Sequence, residues 1–431
     1  MYSGFQFTIK GVLAASAICD AEVPCCISHF GVKPKESSKP VTFNRVLVLD
    51  AAQRSALAVT RSLGKAGIEV STADALPRSL AGCSRYSHQY YQCPSSEKEP
   101  SAFVDWLSNL LTEVPFDMVL PVTEITSQLL LINRVRLGPT LYPFVDYDVL
   151  MSLADKGELV KRANELGLRC PESRRYHSAQ QLDIDALDFP LVLKPCLSKV
   201  YVGGGWISTR VRVLYSKEDL ERELRLSPYL DTQPFLLQEY IPGKGAGVFC
   251  LYDRGRAVSF FAHRRLREKP PEGGVSVLSE SVSVDSELKE FSVKLLDSVG
   301  WHGVAMVEFR VTDDGIPYLM EVNTRFWGSL QLAVDSGVDF PLWLWQIESQ
   351  DRTATFPDEY VVGQRLRWLL GDLDSLYLYW RGERSFSSKL RRLLQFIAPQ
   401  GRRCRHEINR LDDMGPAKFE FQQYIKQLLG H

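Results

Sequence analysis

Three polar side chains of different chemistry stand at alternate positions of one short segment. Residues 318–329 read YLMEVNTRFWGS, and an apolar run leads there into Glu321, Asn323 and Arg325. Residues two apart in a strand share a face, so a carboxylate, an amide and a guanidinium would lie side by side. A packed core gains nothing from such a set. The segment therefore predicts a site for polar chemistry at the end of a strand.

The preceding segment brings a second carboxylate to the same place. Asp-Gly at 314–315 is a strong signal for a two-residue hairpin turn, and such a turn sets Glu308 directly opposite Glu321. Their Cβ atoms would be about 5 Å apart, where like charges destabilise a sheet. Replacing Glu321 by glutamine is therefore expected to leave the stability of the metal-free protein level or slightly higher.

A hard divalent cation would relieve this repulsion, because such ions take carboxylate and amide oxygens as ligands. The predicted ligands are Glu308, Glu321 and Asn323. The absence of His and Cys from this set favours Mg²⁺ over zinc, with Mn²⁺ as an alternative. Magnesium held by few protein ligands usually also holds nucleotide phosphates. The simpler alternative is a solvated sheet face, on which opposed glutamates cost little.

A lysine and a glycine-rich loop could hold those phosphates. Lys194 ends the apolar strand FPLVLKP just before a proline, and three glycines follow at 203–205. Glycines allow backbone N–H groups to approach a phosphate closely. Each feature alone is weak, since lysines at strand ends and glycines in hairpins are common. Their order along the chain carries the prediction.

A cationic strand and a Pro/Gly loop at 268–281 are predicted in the segment FAHRRLREKPPEGGVSVLSES, residues 261–281. His263 and Arg265 share a face by alternation, and a strand carrying so many cations cannot bury them all unpaired. One interpretation is an exposed edge strand. The other is that both residues line the pocket for a carboxylate or acyl phosphate, with the Pro/Gly segment as a lid that excludes water.

Taken in this order, the motifs resemble the ATP-grasp superfamily, close to its carbamoyl-phosphate-synthase-like and carboxylate–amine ligase branch. The resemblance runs from about Val46 to Gln346. It implies two lysines on the ATP phosphates, a mobile glycine-rich flap, an adenine hinge in QEYI, three magnesium ligands, and an arginine beside the reacting phosphate. On this sequence these are Lys156 and Lys194; Gly203, Gly204 and Gly205; Gln238, Glu239 and Ile241; Glu308, Glu321 and Asn323; and Arg325. At the hinge, the Glu239 carbonyl and the Ile241 N–H would contact the adenine.

The fold class that follows is α/β and α+β. An N-terminal Rossmann-like (pre-ATP-grasp) domain would precede a two-lobed ATP-grasp fold and a helical C-terminal tail. The strand–helix–strand order that begins with RVLVLD predicts a parallel sheet. The predicted boundaries are a disordered leader at 1–43, the Rossmann-like domain at 44–150, the central lobe at 151–234, the C-terminal lobe at 235–350 and a basic helical extension at 351–431.

Composition restricts the partners. The 431-residue chain has a formal net charge of −1, which gives no reason to expect nucleic acid. Nine scattered cysteines without zinc spacing predict reduced thiols and a cytoplasmic protein. The tail is read as a helical cap with a solvated basic face, and contact with a membrane or a lipid-linked substrate is the minor alternative. A homodimer stays open.

The sequence thus predicts a Mg²⁺-dependent enzyme that activates a carboxylate with ATP as an acyl phosphate and joins it to an amine. Both substrates would be small molecules. In that chemistry His263, Arg265 and Arg325 would face the reacting groups. Two alternatives remain at this stage: an ATP-grasp kinase that phosphorylates a hydroxyl and stops, and a nucleotide-binding module without turnover.

Overall fold

A computed structural model describes residues 44–202, 205–351 and 353–429. The predicted leader at 1–43 and two of the three flap glycines, Gly203 and Gly204, lie outside the described residues. Within the described part, no helix combines the length and the apolar character that crossing a bilayer requires.

The first layer is a four-stranded parallel sheet of order β3-β2-β1-β4. Its central strand RVLV has Val46, Leu47 and Val48 fully buried. Such a continuous apolar run is typical of a parallel strand covered on both faces. The elements are β1 Arg45–Val48, α1 Arg54–Lys65, β2 Glu69–Asp74, β3 Gln89–Gln92, α2 Pro100–Glu113, β4 Met118–Leu120, α3 Glu124–Ile132 and α4 Arg134–Leu137.

A smaller antiparallel sheet of order β5-β10-β6-β9 follows, with a separate two-stranded hairpin β7-β8 beside it. Its own apolar cluster includes Leu193, Leu220, Phe235 and Leu237. The elements are α5 Tyr147–Ala154, α6 Lys156–Glu165, β5 Ser173–Tyr176, β6 Leu191–Pro195, β7 Lys199–Val202, β8 Gly205–Ser208, β9 Arg212–Leu214, α7 Lys217–Leu226 and β10 Phe235–Glu239.

The largest sheet has seven strands in the order β15-β14-β11-β12-β13-β16-β17. Its central strands bury Phe249, Phe261 and Val307 completely. The elements are β11 Lys244–Asp253, β12 Arg256–Lys269, β13 Val275–Val282, α8 Ser286–Asp297, β14 Gly303–Val311, β15 Pro317–Asn323, α9 Leu330–Ser336, α10 Phe340–Glu348, β16 Arg365–Arg367, α11 Leu369–Arg381, α12 Phe386–Ile397, β17 Cys404–His406 and α13 Gly415–Leu428.

The C-terminal region is mostly helical, and it also adds the two outer strands β16 and β17 to the large sheet. Six of its described cationic side chains form ion pairs within the fold. The fully buried carboxylate of Asp372 forms ion pairs with three guanidinium groups, at N–O distances of 2.6 Å to Arg267 and 2.8 Å to Arg367 and Arg392. Helix α12 is amphipathic. It leaves four apolar side chains exposed: Phe386, Leu390, Leu394 and Ile397.

The hairpin β14–β15 pairs Glu308 with Glu321, as predicted, but by a different route. The turn is not the two-residue turn expected from Asp-Gly. The Thr312 N–H donates to the Ile316 carbonyl, and Gly315, at φ 85°, closes a three-residue loop. This shifts the register by one residue. A β-bulge at Met320, between the Leu319 and Glu321 pairings, shifts it back.

Candidate active site

Glu321 forms an ion pair with a buried lysine from another element. The Lys156 ammonium lies 3.3 Å from its Oε2 atom, and the lysine side chain is only 7% exposed. Lys156 starts α6, and its backbone N–H donates to the Cys196 carbonyl just after β6. Burial alone would raise the pKa of Glu321, but the charges of Lys156 and Lys194 outweigh it and lower that pKa. Glu321 is therefore held as a carboxylate.

Glu308 has different neighbours. Its Oε1 accepts a hydrogen bond from the Asn323 amide at 3.0 Å, and its Oε2 lies 3.3 Å from the Arg265 guanidinium. Burial and the facing charge of Glu321 raise its pKa in spite of Arg265. The two opposed glutamates therefore differ in pKa: nearby lysines lower the pKa of Glu321, and burial together with the charge of Glu321 raises the pKa of Glu308.

The donor set fits a divalent cation. Mg²⁺ prefers oxygen ligands, and the two opposed carboxylates supply them. The Asn323 amide nitrogen already donates to Glu308, so the amide oxygen is the atom that could bind the cation. Among the described residues, no cluster of three or more His, Cys, Asp or Glu is arranged for a metal. A cation here would thus rely on two protein carboxylates and would need further oxygen ligands, such as phosphates.

Lys194 stands close to this set on β6, the strand beside β10. Its ammonium contacts the sulfur of Met320 at 3.6 Å, the residue that forms the bulge. Burial lowers its pKa to about 8, although Glu321 opposes this shift. Among the described residues the Lys194 ammonium forms no ion pair, and an approaching phosphate would supply a partner.

The predicted hinge lies on β10, next to Lys194. Lys194 on β6 pairs with Leu236 on β10, and Gln238 lies two residues after Leu236 on the same strand. The side chains of Lys194 and Gln238 therefore face the same side of the sheet. Gln238 donates to the Ser173 hydroxyl at 2.7 Å, and Ile241 is buried. Glu239 is exposed, and its N–H donates to the Glu172 carbonyl at 2.8 Å.

If Glu239 contacts adenine only through its backbone carbonyl, its side chain should be dispensable. We expect Glu239→Ala to change the affinity for ATP by less than about threefold, because it removes only an exposed carboxylate. Calorimetric titration with ATP measures this. A large loss of affinity with normal folding would show that the side chain itself binds the nucleotide.

Gly205 begins β8 in the two-stranded hairpin. This hairpin reaches the first layer: the Trp206 N–H donates to the Glu97 carbonyl at 3.1 Å, and Lys199 pairs with the Glu97 carboxylate at 2.8 Å. The flap predicted from the glycines is thus a β-hairpin resting on the loop before α2.

His263 and Arg325 line the same cleft as the glutamates. The cleft has a volume of about 330 Å³ and is also lined by Arg265, Asn323 and Trp327. The Arg325 guanidinium donates to the Phe326 carbonyl at 3.0 Å. Among the described residues it forms no ion pair, so its charge is available to a ligand.

His263 is a neutral, buried side chain. Its Nε2 is 2.8 Å from the Ser329 hydroxyl, and its ring stacks on Phe249 at a centroid distance of 4.7 Å. Burial, helped by the charge of Arg265, lowers its pKa to about 3. His263 is therefore suited to donating or accepting a hydrogen bond and unsuited to carrying a proton at neutral pH.

This pKa predicts a specific loss of stability in acid. Between its ordinary pKa near 6.5 and about 3, His263 binds a proton only in the unfolded chain, so the free energy of unfolding falls as pH falls through that range. At pH 5 the loss from this residue should be about 2 kcal/mol. Urea unfolding at pH 7.5 and pH 5.0 should show a smaller drop for His263→Phe. Equal drops in both proteins would contradict the assignment.

Three residues of this region were missed at the level of sequence. Arg54, at the start of α1, lines the cleft from the first layer. Glu124, at the start of α3, has its pKa raised by burial and feels the charges of Lys156 and Arg325. Trp327 is 3% exposed, and its indole N–H has no partner among the described residues. Strand alternation points to none of them, because each is placed by tertiary packing.

This chain is similar in sequence to several known proteins. The family described as "ATP-grasp in the biosynthetic pathway with Ter operon" matches residues 231–369. A D-alanine–D-alanine ligase of Bacillus anthracis is 28% identical over 169 residues, which are 37% of this chain and 52% of the ligase. The carbamoyl phosphate synthase large chain of Neisseria meningitidis serogroup B is 25% identical over 236 residues, 53% of this chain and 21% of that protein. The chain thus spans about half the length of the D-alanine ligase, and less of the synthase.

Solved structures extend the likeness in fold. An L-amino acid ligase from Bacillus licheniformis has a TM-score of 0.55 at 18% identity, covering 73% of this chain and 77% of that one. The biotin carboxylase domain of 2-oxoglutarate carboxylase from Hydrogenobacter thermophilus, solved with MgADP and bicarbonate, has a TM-score of 0.59 at 17% identity, covering 75% and 73%.

The family model over residues 231–369 and the matched relatives support an assignment to the ATP-grasp superfamily, and the solved structures agree with it in fold. Within that superfamily, its matches support the carboxylate–amine ligase branch.

Proposed function

We propose that this chain is an ATP- and Mg²⁺-dependent ligase that activates a carboxylate as an acyl phosphate and joins it to an amine. The observation that carries the proposal is the convergence of Lys156, Lys194 and Arg325 on the opposed glutamates Glu308 and Glu321. Phosphoryl transfer needs fixed positive charge around a moving phosphate, and this cleft supplies it.

In the first half-reaction, a carboxylate oxygen of the substrate attacks the γ-phosphorus of ATP. The bond from that phosphorus to the β,γ-bridging oxygen breaks, and ADP leaves with the electron pair. Lys156 and Lys194 would hold the phosphates, and Arg325 would stabilise the transferred group. A divalent cation on Glu308, Glu321 and Asn323 would neutralise phosphate charge.

In the second half-reaction, the amine nitrogen attacks the acyl carbon. The bond between that carbon and the phosphate oxygen breaks, and inorganic phosphate leaves with the electron pair. The nitrogen loses one proton, which the departing phosphate can accept. Trp327 and the neutral His263 line the cleft, and the buried Phe249 ring packs against both. These aromatic walls favour a site from which water is excluded. Water exclusion matters because an acyl phosphate hydrolyses.

The relatives support the class of reaction but not the substrates. D-alanine–D-alanine ligase and L-amino acid ligase are both named for joining amino acids. We propose by analogy that the substrates here are also a small carboxylate and a small amine. The domain boundaries at 150 and 350 stay proposals, whereas the boundary at 234 is too early, because β10 (Phe235–Glu239) pairs with β5 and β6 in the smaller sheet.

A screen of carboxylates paired with amines for ADP formation tests the proposal, with the product identified by mass spectrometry. With ¹⁸O-labelled carboxylate, we expect one label to appear in inorganic phosphate for each ADP formed. A kinase would instead leave the phosphate on the product and release none. No ADP with any pair, or ADP without label in phosphate, would reject the ligase.

A further inference from the structure

A second, larger cavity opens beside the cleft. Its volume is about 770 Å³, and it lies between the carboxyl edge of the parallel sheet and helix α13. It shares Arg54, Val275, Arg325 and Gly328 with the cleft that holds the glutamates. A molecule bound in the larger cavity would therefore have its reacting end at Arg325.

We propose that this cavity binds the amine substrate of the ligase, and that Glu420 of α13 selects an acceptor that carries a positively charged amine. The inference rests on the proposed function and names the class of its second substrate. The volume suits an organic molecule of ligand size, so ammonia alone would not fill the site.

The charge of the lining favours a cation. Five carboxylates face three cationic side chains: Asp50, Asp74, Glu97, Glu124 and Glu420 against Arg54, Lys199 and Arg325. The lining thus holds two more acidic than basic side chains, a formal charge balance that favours an ammonium group over a second anion.

Most of these carboxylates already have partners. Asp50 accepts from the N–H groups of Val122 and Thr123, both at 3.0 Å, and Asp74 accepts from Ala52 at 2.7 Å. Glu97 is paired with Lys199. These acids shape the loops at the edge of the sheet, so they are poor candidates for selecting a ligand.

Glu420 differs from them. Its Oε1 accepts a hydrogen bond from the Trp368 indole at 2.6 Å, but among the described residues it forms no ion pair. The nearby Arg54 guanidinium lies over the Trp368 ring at 4.2 Å and is paired with Glu407 instead. Burial raises the pKa of Glu420 to about 7. An ammonium group in the cavity would be its missing counter-charge.

The helix that carries Glu420 is firmly attached to the first layer. Just before it, the buried Asp413 accepts from Arg61 at 2.8 Å, from Ser84 at 2.7 Å and from the Arg85 N–H at 2.9 Å. At Gly415 an added Cβ would lie 1.9 Å from the Cys83 carbonyl oxygen, so the two backbones pack closely. Helix α13 is thus a fixed wall of the cavity, able to position a specificity residue.

The test uses Glu420→Gln in the full chain. Glutamine keeps an oxygen for the Trp368 hydrogen bond and removes only the charge. With the acceptor found in the ADP screen, we expect KM for the amine to rise about tenfold, with KM for ATP, kcat and the melting temperature nearly unchanged. Glu383→Gln, an exposed site in the same C-terminal region, is the matched control and should behave as wild type.

A binding experiment gives a readout independent of turnover. The probes are 1,4-diaminobutane and tyramine, each set against the diol or alcohol of the same length, and calorimetry is run with ADP and Mg²⁺ present. We expect at least one of the two amines to bind wild type at least tenfold more tightly than its hydroxyl analogue does. The same amine should bind wild type at least tenfold more tightly than it binds Glu420→Gln. Absence of amine binding to wild type, or equal binding to the variant, would overturn the inference.

The two proposals fail in distinguishable ways. If the ligase reaction is observed but KM for the amine is the same in Glu420→Gln and wild type, only the acceptor site is wrong. If no carboxylate gives labelled phosphate, the ligase itself is wrong.

Discussion

Glu321→Gln is expected to lower turnover by on the order of 10²–10³ and also to destabilise the protein without metal. Turnover falls because the cleft loses an anionic ligand for the cation that neutralises phosphate. Stability falls, by about 1 kcal/mol or more, because Lys156 is buried and loses its charged partner. Thermal melts without metal and ADP production at saturating Mg²⁺ measure the two effects.

Glu308→Gln is the matched control for this prediction. It should lose turnover similarly, but its metal-free stability should stay level or rise by a few tenths of a kcal/mol, because the raised pKa marks Glu308 as the unfavourable charge of the pair. The stability cost of Glu321→Gln should be present at neutral pH and disappear as pH falls through the lowered pKa of Glu321. Near-normal turnover in either folded variant would end the metal-site hypothesis.

Lys194→Ala is expected to weaken ATP binding by about 1.5–3 kcal/mol, which is roughly 10- to 150-fold. Its ammonium is mostly buried and contacts only Met320 among the hydrogen bonds and ion pairs of the described residues, so the substitution should cost little stability. Calorimetric titration with ATP in the presence of Mg²⁺ measures the loss. Lys217→Ala, in the same lobe but on its surface, should leave the affinity unchanged.

The pH dependence of ATP binding separates a phosphate contact from a structural role. Because the pKa of Lys194 is about 8 in the free protein, we expect the wild-type affinity to decline above that pH, where binding must take up a proton. Lys194→Arg keeps its charge at every accessible pH and should flatten the decline. The same decline in Lys194→Ala as in wild type would exclude this lysine as its source.

Local pattern predicted the strands and the facing of Glu308 and Glu321. The predicted pairing is correct because two deviations from the expected hairpin cancel. The loop has one residue more than Asp-Gly indicates, which shifts the register, and the bulge at Met320 restores it. A bulge cannot be recognised from the alternation of apolar and polar residues along a strand, because one inserted residue disturbs that alternation only locally. The pairing was therefore predictable, and the turn was not.

Contacts between distant segments were beyond sequence reasoning. The pairing of Glu321 with Lys156 joins residues 165 positions apart, and it reverses the expected effect of Glu321→Gln on stability. Arg54 and Glu420 reach the cavities from opposite ends of the chain. Nothing in their local sequence distinguishes them from surface charges, because their role depends on how the C-terminal region docks on the first layer.

The two outer strands of the large sheet have a consequence for any shortened form of the protein. Without β16 and β17, strand β13 would become an edge strand of eight residues that includes the buried Val277 and Leu278. A long, apolar edge with unpaired backbone groups is a template for intermolecular strand addition. On this side of the sheet the outermost strand, β17, is only three residues long and carries Arg405 and His406, features that block such growth. The C-terminal region therefore also protects the sheet against aggregation.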